Sequence, residues 1–194
     1  MPTERIQTDE ISHQEPAELL TKAGEWLEDR GHFAEAVAYY QAALTVDRTF
    51  SLAAFRLGKL AYGQGEYQEA IKYLRYAARL TPDHAPTLYH LSLSYEKAEQ
   101  PRHAIYWAWQ TLRYNPEHDG AYLVLLRSYA ALQWWRAVLR LYRRLPARLH
   151  GSWEPGVWLA LAYAHLGQTQ RALEMWRDLP PRIRKRYEAM FRWE

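Results

Sequence analysis

Ser51–His84, SLAAFRLGKLAYGQGEYQEAIKYLRYAARLTPDH, is the stretch whose reading decides the fold. It reads as two short amphipathic helices around a tight glycine-containing turn, closed by a proline. Displaced by 34 positions, its landmarks recur. Gly24 pairs with Gly58, Gly31 with Gly65, and Ala36 with Ala70 and Ala104. Leu57 returns as Leu91, Leu125 and Leu159, Tyr95 as Tyr129 and Tyr163, and Pro82 as Pro116. A fixed period of this length is the mark of a helical-repeat solenoid.

Each recurring residue has a physical reason. Ala54, Leu57, Gly58 and Ala61 fall at helical spacing and form one face of the first helix, helix A. Gly58 is small enough for the second helix, helix B, to approach closely. Gly65 ends helix A, where a positive φ carries no steric cost. Tyr67, Ala70, Ile71 and Leu74 form the inner face of helix B, and Pro82 stops it. One such hairpin cannot bury its own apolar face and needs neighbours on both sides.

This unit resembles the tetratricopeptide repeat (TPR), whose W-x2-L-G-x2-Y, G-x-Y/F-x2-A, A and P positions are matched closely in the central unit and well in the first. The resemblance covers roughly residues 17 to 179. It implies an all-α, right-handed α-solenoid of helix-turn-helix hairpins with a C-terminal capping helix. The expected division is a flexible acidic tail over 1–15 and an array over 16–180. Its units span about 17–50, 51–84, 85–118, 119–150 and 151–180, and a cap follows over 181–194. Glu99-Gln100-Pro101 replaces the glycine turn in the third unit. In the fourth, Ala137 stands one residue early, which predicts a shortened inner turn, and the link from Pro146 to Ser152 is longer than usual. The 130s to 150s are therefore the expected place for a change in superhelix curvature. Ile183, Tyr187, Met190 and Phe191 share a face suited to capping the last hairpin.

Composition narrows the chemistry. No apolar run of 18 residues is present, so no membrane insertion is expected, and the polar N-terminus lacks the apolar core of a signal peptide. A cytoplasmic setting is the default expectation. The absence of cysteine excludes disulfides, thiol catalysis and Cys-based zinc sites. The eight histidines make no metal pair on one helix, His84 and His118 read as linker residues, and no phosphate loop or nucleophile elbow is visible. No enzyme activity, cofactor or metal is expected. The net charge of +3 hides a gradient: residues 1–50 carry 4 basic and 10 acidic side chains, and residues 101–150 carry 8 and 2. In an elongated solenoid this becomes one acidic end and one basic half.

By analogy with the family, helix A lines a concave groove. The groove positions expected to bind a peptide are Glu25, Glu28, Phe55, Lys59, Tyr62, Tyr89, Leu93, Leu123, Arg127 and Val157. The groove then opens acidic and turns apolar and aromatic, with Lys59 and Arg127 as isolated cations. Such a surface suits an extended or helical segment of a partner protein with apolar anchors, basic towards the acidic end. Thr21, Glu25 and Arg56 stand where the family's carboxylate clamp for chaperone C-termini needs Lys or Asn, which disfavours that ligand. Two alternatives accompany this reading. Arg136, Arg140, Arg143 and Arg144, with Trp134 and Trp135 nearby, are candidate anion-binding residues for nucleic acid, the less favoured partner because no nucleic-acid motif accompanies them. Tyr73, Tyr106 and Trp109, on the outer helices, are candidates for self-association into a homo-oligomer, as are the opposed end charges. The favoured function is a non-catalytic scaffold that binds a protein segment and supports assembly of a complex.

Overall fold

The computed structural model describes residues 14–191, and its regular elements there are all helical. The first hairpin is α1 (Gln14–Glu28) and α2 (Phe33–Val46), the second α3 (Ser51–Gly63) and α4 (Tyr67–Leu80), and the third α5 (Ala85–Lys97) and α6 (Pro101–Tyr114). The fourth comprises α7 (Asp119–Ala131) and α8 (Trp135–Tyr142), followed by one helical turn, α9 (Ala147–His150). The fifth is α10 (Trp153–His165) and α11 (Thr169–Arg177), after which come α12 (Pro181–Tyr187) and a 3-10 turn (Glu188–Phe191). This is the α-solenoid expected from the repeat. The flexible tail expected over 1–15 falls almost wholly outside the described residues, as do positions 192–194 of the expected cap.

Helix A begins at Ser51, Ala85, Asp119 and Trp153, so the 34-residue step does not falter. The turns inside the hairpins are superimposable in their bonding. His32, Glu66, Gln100, Trp134 and Gln168 each donate a backbone N–H to the carbonyl five residues back in the turn (Leu27, Ala61, Tyr95, Tyr129, Tyr163), all at 2.9 Å. Gly31, Gly65, Glu99, Gln133 and Gly167 each close the shorter bond and carry positive φ. This is the Schellman closure, which satisfies carbonyls left open at a helix end. The expectation of a shortened turn in the fourth unit is therefore corrected. Gln133 takes the glycine's place with φ 56°, and fully buried Val138, not Ala137, fills the position of Ala36, Ala70 and Ala104.

The real irregularity lies in helix B. Pro146 and Pro180 stand one turn earlier than the proline position of Pro82 and Pro116. Each ends its helix with ψ near 140°, because proline lacks the N–H and restricts the residue before it. The chain released by Pro146 folds into α9, and that released by Pro180 into α12. Leu149 and Ile183, 34 residues apart, are both buried there. Successive A helices pack on one another, and each B helix packs on the next A helix, giving an inner A layer and an outer B layer. A single apolar cluster runs from Ala61 to Phe191, with two smaller clusters under the first hairpin.

A non-glycine residue in the left-handed region costs about 1 kcal/mol. Glu99→Gly and Gln133→Gly should each stabilise the chain by about 0.5–1 kcal/mol, net of the freedom glycine adds to the unfolded state. Urea unfolding of each variant checks this; lowered stability would mean that the side chain, not the backbone, holds the turn.

Candidate functional site

The middle of the A layer is an aromatic floor. Phe55 and Tyr62 come from α3, and Tyr89, His90 and Leu93 from α5; all are half-buried against the core. His90 is its centre, with ring centroids 5.6 Å from Phe55, 5.7 Å from Tyr89 and 6.1 Å from Tyr62. His84 and His118, read from sequence as linker residues, fold their rings onto the rim: His84 lies 5.3 Å from Phe55 and His118 4.2 Å from Tyr89. His118 Nδ1 also accepts from the Ala121 backbone N–H, capping α7. Gly120 leaves the space that the Tyr89 ring occupies, since a Cβ there would collide with the ring. Burial raises the phenols of Tyr62 and Tyr89 above their ordinary range.

Charges flank this floor, and they are already paired. Glu25 binds Arg56, Glu28 binds Lys59 at 3.0 Å, and the Tyr40 hydroxyl donates to Glu28 at 2.9 Å. Arg127 grips both oxygens of Glu96 and also donates to Glu154 at 2.7 Å, linking three successive A helices. Burial works against its charge, but Glu96 and Glu154 overcome this and hold the guanidinium above its ordinary range. The expectation that Lys59 and Arg127 are isolated cations is thus corrected. Three of these pairs and Glu117–Arg148 join residues 31 apart. That separation is one repeat less one helical turn, so the partners face each other across a hairpin interface. Opposite charges at this spacing are the signal of these pairs in the sequence.

Val157 is fully buried and has no surface for a ligand, which removes it from the groove positions. Leu123 and Leu93 are half-buried, and Thr21 is buried with its hydroxyl on the Ala17 carbonyl. Outside, Tyr73 packs against the core of the first hairpins. Tyr106 and Trp109 stay exposed, at 55% and 40%, and the Trp109 indole N–H donates to the Tyr129 hydroxyl at 3.0 Å. Arg136, Arg140, Arg143 and Arg144 are exposed along and just beyond α8. Among the described residues no group of three His, Asp or Glu side chains could hold a metal, and no helix is long and apolar enough to cross a membrane.

Burial first, then Lys59 and His118, push the His90 imidazole down to about 4 from its ordinary 6.5. Between those values the unfolded chain binds the proton and the folded chain does not. Stability from this residue is therefore complete above pH 6.5 and is lost as pH falls towards 4. His90→Gln should flatten the fall in melting temperature between pH 7 and pH 4.5 by roughly 2–4 °C relative to the parent chain. Parallel melts at both pH values test this; equal slopes would mean that the ring is open to protons in the folded state.

A tetratricopeptide-repeat family model matches residues 21–85. Anaphase-promoting complex subunit 6 of Arabidopsis thaliana is 31% identical over 150 residues, covering 73% of this chain but only 27% of its own length. Among solved structures, MamA superposes with a TM-score of 0.80 at 19% identity, covering 93% of this chain and 97% of its own. YrrB, described as a TPR protein with an unusual peptide-binding site, gives 0.76 at 20% identity over 82% of each chain. The 34-residue period, the repeated turn closure and the paired helices thus agree with the family model and with the fold of these structures. The chain is a tetratricopeptide-repeat protein of about five repeats.

Proposed function

We propose that the chain is a non-catalytic interaction scaffold that holds a segment of a partner protein on the A-helix surface, anchored by apolar side chains over Phe55, Tyr62, Tyr89 and Leu93. The observation that carries this is the half-exposed aromatic floor set between two groups of already satisfied ion pairs. Aromatic side chains on a rigid support supply contact area at little entropic cost, and such residues dominate binding energy at interfaces. The peptide-binding site in the description of YrrB and the place of the Arabidopsis relative in a complex support the same reading.

Satisfied ion pairs change what the groove selects. Glu25 and Glu28 are engaged by Arg56 and Lys59, so a basic residue on the ligand would have to displace a neighbour. Likewise Arg127 has no free edge for a carboxylate terminus. Selection by apolar anchors follows, and affinity should depend little on salt.

Peptide selection on the immobilised chain supplies a probe. Against it, Phe55→Ser combined with Tyr89→Ser should weaken binding by at least about tenfold, some 1.4 kcal/mol, with helical circular dichroism retained. Raising salt from 0.1 to 0.5 M should alter affinity by less than about threefold. Undiminished binding by the folded double variant would reject the groove.

A further inference from the structure

The first hairpin has an edge that every later hairpin hides. Leu19 is 67% exposed, whereas Ala53, Thr87 and Ala121, one, two and three repeats on, are at 0% and Pro155 is buried. Trp26 is 55% exposed, whereas its counterparts Leu60, Ser94, Ser128 and Ala162 lie between 0% and 7%. These are stacking positions, covered elsewhere by the preceding hairpin. At α1 no described element covers them, and two large apolar side chains stand in water.

A second unsatisfied surface lies on the fourth hairpin. Arg136, Arg140, Arg143 and Arg144 have no carboxylate partner among the described residues, while Arg56, Arg127 and Arg148 are all paired. Arg140 and Arg144 line a cleft of about 210 Å³ with Trp109 and Tyr129. Arg136 and Arg140 line a second, of about 400 Å³, with Trp134. The Tyr129 hydroxyl accepts from Trp109 and keeps its own hydrogen to donate. Each cleft combines guanidinium donors with an exposed indole, which suits a carboxylate carried beside an apolar side chain.

We propose that the chain associates head to tail, with the α1 edge of one copy seated on the arginine–tryptophan strip of a second copy. Charge selects the occupant. Residues 14–50 carry 7 acidic and 3 basic side chains, and residues 119–150 carry 6 basic and 1 acidic. Glu15 and Asp29 are exposed beside the Leu19–Trp26 edge, while its cations are engaged: Lys22 by Glu18 at 2.7 Å, and Arg30 stacked 3.7 Å over Trp26. Residues 1–13 hold 3 acidic and 1 basic side chain, the same sign as α1, so they are a poorer cover for that edge. Two hairpins separate the two surfaces within one chain, so they meet only between copies. The contact is heterologous, pairing different surfaces, and it extends into chains unless its rotation closes a ring. It stands apart from the groove reading, because it uses neither Phe55 nor Tyr89.

Light scattering during gel filtration tests it on the full chain. In 50 mM salt the mass should rise above one chain with concentration and return to one chain in 0.5 M salt. Leu19→Glu with Trp26→Glu, and separately Arg140→Glu with Arg144→Glu, should each be monomeric with unchanged circular dichroism. Mixing the two variants should give a 1:1 dimer and nothing larger, because each retains one competent surface. A parent chain that stays monomeric at low salt overturns the proposal, as does association that survives both pairs of substitutions or fails to return on mixing. A monomeric parent that binds single-stranded DNA, with loss of binding in the arginine variant, also overturns it and assigns the strip to nucleic acid.

Discussion

How closely the two helices of a hairpin can approach governs everything built on them. In the second repeat a Cβ at Gly58 would lie 2.5 Å from the Leu74 side chain, and in the first a Cβ at Gly24 would lie 2.6 Å from the Tyr40 ring. Glycine here makes room for a bulky partner rather than freeing the backbone. With that crossing tight, helix A turns one face to its own helix B and its flanks to the hairpins on either side. Only then do successive A helices touch and form a continuous inner layer. The aromatic floor is a consequence: Phe55, Tyr62, Tyr89 and Leu93 occupy positions to which the crossing and the stacking leave one open side.

The period was legible because it is written in residues whose size or backbone freedom is hard to replace. Gly31, Gly65 and Gly167 mark three of the five turns, and Ala36, Ala70, Ala104 and Ala172 mark four of the five crossings. Reading failed where a replaceable residue took such a place. Val138 is small enough for the crossing, and Ala137 beside it mimics the loss of one residue. Gln133 and Glu99 tolerate positive φ because the Schellman bonds and the packing on either side fix the turn. The break in the outer helix was half visible. Pro146 and Pro180 stand 34 residues apart, but the recurrence shows only when they are compared with each other, since neither aligns with Pro82 or Pro116.

The groove was legible in type but not in charge. Helical periodicity says which side chains share a face; it does not say which will find a partner on the neighbouring helix. Counting Lys59 and Arg127 as free cations treated each A helix alone. Stacking brings residue n of one repeat opposite residue n−3 of the next, and this converts a charged groove into a neutral one at both ends. Half-buried pairs of this kind are less screened than surface pairs. Their role here is as much geometric as energetic: Arg127 ties three A helices at one point and fixes the spacing of the floor beside it. Val157 departs for a related reason: its counterparts Phe55, Tyr89 and Leu123 keep an open side, but in the fifth repeat the position is drawn wholly into the long apolar cluster.

The same early prolines account for where the outer surface is left unfinished. The third hairpin's outer helix, α6, runs 14 residues, and α8 runs 8 before Pro146 diverts the chain. The outer layer is therefore thinner over the fourth repeat, and side chains that a full helix would flank, Trp109 among them, line open clefts instead. Arg148 is drawn the other way: the turn α9 carries it back onto Glu117 and Asp119, where it is neutralised. What separates most paired arginines from the unpaired ones is the layer they stand in. Arg56 and Arg127, on the inner A helices, face an adjacent repeat and find carboxylates one turn back. Arg102 and Arg113 on α6, like Arg136 and Arg140 on the truncated α8, stand exposed on the outer layer with no carboxylate partner among the described residues. What is particular to the fourth repeat is that its arginines line clefts beside Trp109 and Trp134.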